Sequence, residues 1–236
     1  MIMRVLITRP EDGGERSAVA LRARGHEVLL APLLRIEPFI SDDFGAPPFA
    51  AILFSSANAA RAVAAHPRAG EIKSLPVLAV GSRTAEAARA AGFADVQSAD
   101  GDGGDLSKLA TARFVGSGAP LLYLAGDERA RDIAAELPGL NIRTIVVYRA
   151  VKVTQLPPSV QAALASGRLD GVLHFSLRSA EAFIACAEAA GLLDKALALF
   201  HYCLSPRVAG PLGGAANVRI AARPEEAALL ELVGTR

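Results

Sequence analysis

Short apolar runs rich in β-branched residues alternate with alanine-rich segments of helical spacing from one end of this chain to the other. That order restricts the fold more than any single motif does. Strands separated by helices pair in parallel, in a sheet covered on both faces. The pattern predicts a strand at 4–8, a helix at 15–24 closed by Gly25 and a strand at 28–31, an opening β-α-β. A break rich in turn residues follows at 40–48. Beyond it come strands at 50–54, 77–80, 96 and 121–124, with helices at 56–66, 83–91, 106–112 and 127–137. After Pro157 and Pro158 helices are expected at 160–165, 179–190, 208–212 and 224–232, and strands at 171–175, 199–203 and 218–220.

The central run 144–154 starts as a buried strand, with Thr144, Ile145, Val146 and Val147, and then mixes Arg149, Lys152 and Thr154 among apolar residues. A matching segment, apolar first and mixed later, lies at 27–39. Two such strands can leave one core, continue toward another and pair. Internal likeness supports two cores. Ile52-Leu-Phe-Ser-Ser-Ala-Asn-Ala59 resembles Leu173-His-Phe-Ser-Leu-Arg-Ser-Ala180, and Gly81-Ser-Arg-Thr-Ala85 answers Ser205-Pro-Arg-Val-Ala209. The expected division is one discontinuous α/β domain of 1–36 and 152–236, with an inserted α/β domain of 37–151. Linker strands are placed at about 32–39 and 146–154.

The 236 residues suffice for such cores. A formal net charge of +1 argues against a nucleic-acid binder or a polybasic membrane patch. No window is long and uncharged enough for a membrane span, and the charged start does not read as a leader. Two cysteines without ligand spacing, Cys186 and Cys203, fit buried thiols in a reducing cytoplasm. Arginine far outnumbers lysine, which occurs only at Lys73, Lys108, Lys152 and Lys195. Arginine is the better fork for carboxylates and phosphates, although such a bias also follows from genome composition.

Every stretch that can carry chemistry lies just after a predicted parallel strand, where open α/β sheets bind ligands. These are Thr8-Arg9-Pro10, Ser55-Ser56-Ala57-Asn58, Gly81-Ser82-Arg83-Thr84, Ala125-Gly126-Asp127-Glu128-Arg129, Ser176-Leu177-Arg178-Ser179 and Ser205-Pro206-Arg207. Hydroxyl residues and glycines at helix N-termini offer amides and a dipole to anions, and they also serve as ordinary caps. A phosphate-binding GxxxxGK[ST], a GxGxxG after the first strand, an HExxH and a GxSxG are all lacking. His26, His66, His174 and His201 are scattered, so no metal site is expected. Tyr148, at the end of the central strand's buried part, is either packing or a proton donor.

Taken together and in order, Thr8-Arg9-Pro10, Phe54-Ser55-Ser56-Ala57-Asn58-Ala59, Val80-Gly81-Ser82-Arg83-Thr84-Ala85, Val147-Tyr148-Arg149, Phe175-Ser176 and the Ser-Pro-x-x-Ala of the last third resemble the uroporphyrinogen-III synthase family. The resemblance implies two flavodoxin-like parallel-sheet domains, one discontinuous, joined by a two-stranded β linker, with the site in the cleft. It implies a cytoplasmic, monomeric lyase of haem biosynthesis that needs no cofactor. Such an enzyme closes the linear tetrapyrrole hydroxymethylbilane with loss of water and inversion of ring D, and it receives its substrate in transient contact with the upstream hydroxymethylbilane synthase. By resemblance Tyr148 assists departure of the hydroxyl. Thr8, Arg9, Ser55, Ser56, Asn58, Gly81, Ser82, Thr84, Gly126, Arg129, Ser176, Arg178, Ser205 and Arg207 position carboxylates.

One departure bears on that implication. Where the family often carries a threonine pair, this chain has Arg207 and Val208, so a hydroxyl expected to touch substrate is missing at Val208. The rival expectation is a two-lobed module or regulatory homologue that binds an anionic tetrapyrrole without converting it.

Overall fold

A computed structural model describes residues 1–39, 44, 48–128 and 133–235. In chain order its elements begin with β1 (Arg4–Ile7), α1 (Glu11–Ala23), β2 (Glu27–Leu30), β3 (Leu34–Pro38), β4 (Ala51–Phe54) and α2 (Ala57–Ala64). They continue with β5 (Val77–Ala79), α3 (Ser82–Ala90), β6 (Val96–Ser98), α4 (Gly103–Phe114), β7 (Leu121–Gly126) and β8 (Ile142–Lys152). Then come α5 (Pro158–Ala165), β9 (Gly171–His174), α6 (Leu177–Ala189), α7 (Leu193–Leu197) and β10 (Phe200–Cys203). The last are α8 (Pro206–Ala209), β11 (Asn217–Ile220) and α9 (Glu226–Glu231).

Two compact units divide the chain, one of Met1–Arg35 with Val151–Arg236 and one of Ile36–Ala150. The first holds a sheet in the order β11-β10-β9-β1-β2, parallel throughout, so strands from both ends of the chain share one core. Alternation along β1 and β9 builds its two faces. Leu6 and Val172 pack with Phe183 of α6, while Val5, Ile7 and Leu173 pack with Leu229 of α9.

In the second unit β7, β4, β5 and β6 follow β8 in parallel order. β4 and β7 are buried along their whole length, as central parallel strands are. Ile52, Phe54, Leu122 and Leu124 face α2 and α3, and Leu53, Leu78, Leu121 and Tyr123 face Leu106 of α4. Beyond β8 lies β3. Val153 donates its N–H to Leu33 O and Phe39 to Val147 O, so these two strands run antiparallel. The boundary between the units falls inside both.

The fold class is the one that the alternation predicts. Three local expectations differ. Of the helix expected at 127–137, residues 129–132 lie outside the described residues and 133–136 form consecutive turns. The helix expected at 208–212 starts earlier as α8, where Pro206 fits a first turn, and ends in a 3-10 turn, Gly210–Leu212. The five-residue α7 escapes periodicity because it completes little more than one turn.

Candidate functional site

The carboxyl ends of β4 and β5 open a cavity of about 370 Å³ lined by Ser55, Ser56, Ala57, Asn58, Val80, Gly81, Ser82, Arg83 and Thr84. Local chemistry shapes each wall. Ser56 is extended and caps α2, its Oγ accepting from the Asn58 N–H at 3.2 Å. Ser55 Oγ lies 2.7 Å from the hydroxyl of the buried Tyr123 on β7, which fixes its position. At α3 the cap is Gly81, and no side chain caps the helix. The Ser82 and Arg83 amides that open the helix are therefore left without a side-chain cap, while the Thr84 N–H donates to Gly81 O at 3.0 Å. Thr84 is buried, whereas Arg83 is exposed and makes no ion pair or hydrogen bond among the described residues. The lining includes one cation and no carboxylate, an arrangement suited to an anion.

Two strands away from β5 along the same sheet, at roughly 4.8 Å per strand, β7 ends in Gly126, and β8 beside it carries Tyr148. The register slips here. Ala125 is level with Val146 but Gly126 with Tyr148, which leaves Val147 as the extra residue of a β-bulge. Val147 and Tyr148 consequently both pack on the core beneath α2 and α3. The Tyr148 hydroxyl has no hydrogen-bond partner among the described residues. Neighbouring Arg149 pairs with Glu37 of β3 at 3.2 Å.

The first unit arranges its strand ends differently. Thr8, expected at a ligand, is wholly buried and its Oγ1 donates to Leu173 O at 3.0 Å, so it ties β1 to β9. Arg9 is no free cation. Its guanidinium pairs with Glu226 at 3.1 Å, reaches Ser17 Oγ at 3.4 Å and lies 4.3 Å above the Phe175 ring. Burial acts to raise the Glu226 carboxyl pKa, but the Ser17 hydrogen bond and the charges of Arg9 and Arg16 outweigh it and hold the group below its usual range. Ser176 and Ser179 form a reciprocal cap on α6. Ser205 precedes α8 without capping it. Arg178 is half-buried, and Arg207 is exposed without a partner among the described residues. Val208 is buried among Ala180, Cys203 and Leu212. A hydroxyl there would meet core rather than ligand, so the supposed missing contact is a packing position.

The structure thus brings Ser55, Ser56, Asn58, Gly81, Ser82 and Thr84 together, sets Gly126 against Tyr148, and keeps Arg178, Ser176, Ser205 and Arg207 in the other unit. Arg129 lies outside the described residues. Sequence reasoning passed over Tyr123, Glu226 and the individual role of Arg83. Only Arg83 had a local signal, since it sits in the recognised loop between two chosen residues.

This is an α/β protein whose parallel strands end in loops of hydroxyl residues, glycines and arginines, with a tyrosine at one of those ends. A family model, Uroporphyrinogen-III synthase HemD, matches residues 15–231, and the chain belongs to the uroporphyrinogen-III synthase family. These are cyclising lyases of tetrapyrrole biosynthesis, and the reaction is closure of hydroxymethylbilane to uroporphyrinogen III with loss of water and inversion of ring D. Family membership disfavours the purely binding alternative. Uroporphyrinogen-III synthetase from Helicobacter pylori shares the fold, with a TM-score of 0.62 at 19% identity over 98% of each chain. A mutant uroporphyrinogen III synthase from the extremely thermophilic bacterium Thermus thermophilus gives 0.47 at 16% identity over 97% of this chain and 96% of that one. No curated protein matches the chain in direct sequence comparison. Among the described residues no helix is long and apolar enough to cross a membrane.

Proposed function

We propose that Tyr148 is the proton donor of this ring closure and that the strand-end loops hold the substrate's carboxylates. The observation that carries the assignment is a tyrosine hydroxyl left without a hydrogen-bond partner among the described residues, at the end of a sheet whose neighbouring loops favour anions. In this reading the hydroxyl protonates the ring A hydroxymethyl oxygen. The C–O bond breaks, water leaves, and the pyrrole nitrogen lone pair stabilises the exocyclic cation. A carbon of ring D captures that cation, and by family resemblance a spiro-pyrrolenine carries the inversion. The proton finally lost from the ring returns to the tyrosinate, so the net change is loss of one water. Because the pyrrole itself stabilises the cation, the protein's main tasks are to supply one proton and to hold a reactive conformation.

Arg83, Ser82, Ser55, Ser56 and Asn58 are the proposed carboxylate holders of one unit, and Arg207, Arg178, Ser176 and Ser205 those of the other. On the same reading the protein is a cytoplasmic monomer that receives its substrate in brief contact with hydroxymethylbilane synthase. Sedimentation of the two enzymes, alone and mixed, checks both the oligomeric state and the contact.

The deciding experiment incubates fresh hydroxymethylbilane with the wild-type protein and the Tyr148→Phe variant, oxidises the products and separates the isomers. The wild type is expected to give mainly type III uroporphyrin, and Tyr148→Phe to form it at least about tenfold more slowly. Undiminished type III formation by Tyr148→Phe removes the tyrosine from the proton-donor role.

A further inference from the structure

We infer that Gly126 is a positioning residue for Tyr148, acting with the β-bulge as a seat that fixes where the tyrosine hydroxyl stands. This rests on the reading of Tyr148 as the proton donor. A Cβ built on Gly126 would lie 2.7 Å from Tyr148 Cζ, 2.9 Å from its hydroxyl oxygen and 3.0 Å from Cε2. These are the three nearest atoms, so the space a side chain would need is taken by the tyrosine ring. The backbone makes no such demand, because Gly126 is not among the residues with positive φ. Glycine at 126 therefore answers a steric need that the Tyr148 ring creates.

The bulge supplies the other half of the seat. Level residues on neighbouring strands share a face, and Gly126 follows Leu122 and Leu124 on the α2/α3 side. In an unbroken register Val147 would stand level with Gly126, and Tyr148 would point to the opposite, α4 side. The extra residue turns Tyr148 back onto the Gly126 side, and the Asp127 N–H closes the arrangement by donating to Tyr148 O at 2.9 Å. Ring position is thus set from below by the glycine and along the strand by the bulge.

An added methyl at 126 must displace the ring. A misplacement on the order of 1 Å at a reacting group costs up to about a hundredfold in rate. The test compares Gly126→Ala, Tyr148→Phe and the double variant in the full chain, reading kcat and KM for type III formation together with the thermal midpoint. Gly126→Ala is expected to lower kcat at least about tenfold with KM little changed. The double variant is expected to be no slower than Tyr148→Phe, because the glycine acts only through the hydroxyl. Wild-type kcat in Gly126→Ala with a slow Tyr148→Phe would overturn the positioning role and leave the donor role standing. Wild-type kcat in Tyr148→Phe would overturn the donor role itself. Multiplied losses in the double variant would show that Gly126 acts independently of Tyr148, which also sinks the inference. Should Gly126→Ala not fold, Gly126→Ala combined with Tyr148→Ala is expected to fold, since the obstructing ring is gone. An unfolded double variant beside a folded Tyr148→Ala would refute the steric argument.

Discussion

Glu226 of α9 and Arg9 after β1 form an ion pair of 3.1 Å, and Ser17 Oγ donates to the same carboxylate at 2.6 Å. Both charged side chains are largely shielded, with 21% and 32% of their surface exposed for Arg9 and Glu226. Replacing the carboxylate leaves Arg9 partly buried without its counter-charge. Glu226→Ala is expected to cost about 1–3 kcal/mol in urea unfolding at pH 7, more than Glu226→Gln, which keeps a partner for Ser17. The folded-state pKa lies below the ordinary value of 4.5, so this contribution is present above pH 4.5 and is lost as pH falls through the depressed value. The difference between wild type and Glu226→Gln should accordingly shrink on acidification. A difference that persists unchanged at pH 3 would assign the effect to packing.

The imidazoles of His174 and His201 stack inside the first unit, with His174 Nε2 3.0 Å from His201 Nδ1 and His201 Nε2 3.0 Å from Ala196 O. The carbonyl can only accept, so it fixes a proton on His201 Nε2. His201 Nδ1 then accepts from His174 Nε2–H, and the buried His174 Nδ1 has no partner among the described residues. Burial first, and His201 second, pushes the His174 pKa down to about 3, and burial also lowers that of His201. The unfolded chain takes up these protons near pH 6.5 while the folded chain does not. Stability is therefore full above pH 6.5 and drains as pH falls toward 3, by on the order of 4–5 kcal/mol for His174 alone. Urea midpoints across that range check the slope, and a profile flat from pH 6.5 to 4 would contradict it.

Sequence pattern located the sheets because buried parallel strands are continuous apolar runs and their helices repeat with a different period. The strand-end stretches were legible for the same reason, since a strand's end is also a loop's beginning. Side-chain commitments were not. Nothing local distinguishes Thr8, which binds Leu173 O, from Ser82, which lines the cavity, because the distinction depends on a strand supplied from the far end of the chain. The bulge at Tyr148 was hidden too. It is defined by register against β7, and β8 alone reads as a regular strand.

Val208 shows how a family pattern misleads when the facing of a residue is unknown. Its side chain packs on Ala180, Cys203 and Leu212. Val208→Thr restores the family-like hydroxyl but buries it, and is expected to cost about 1–3 kcal/mol of stability without raising turnover. Thermal melts and initial rates of type III formation test both halves. A faster enzyme would reinstate position 208 as a substrate contact.

Arg83 is the one cationic side chain lining the cavity at β4 and β5, and it has no partner among the described residues. On the proposed reading a substrate carboxylate gains there a charge-assisted hydrogen bond of about 1.5–3 kcal/mol, with solvent exposure favouring the lower figure. On that reading Arg83 would hold substrate before, during and after water departs, so its contribution would be nearly uniform along the reaction. Arg83→Gln is therefore expected to raise KM about tenfold and to leave kcat within about twofold. Added salt should raise the wild-type KM more than that of Arg83→Gln, because screening removes what the variant already lacks. A fall in kcat at unchanged KM would instead place Arg83 in the chemical step and assign carboxylate binding to the uncapped first turn of α3.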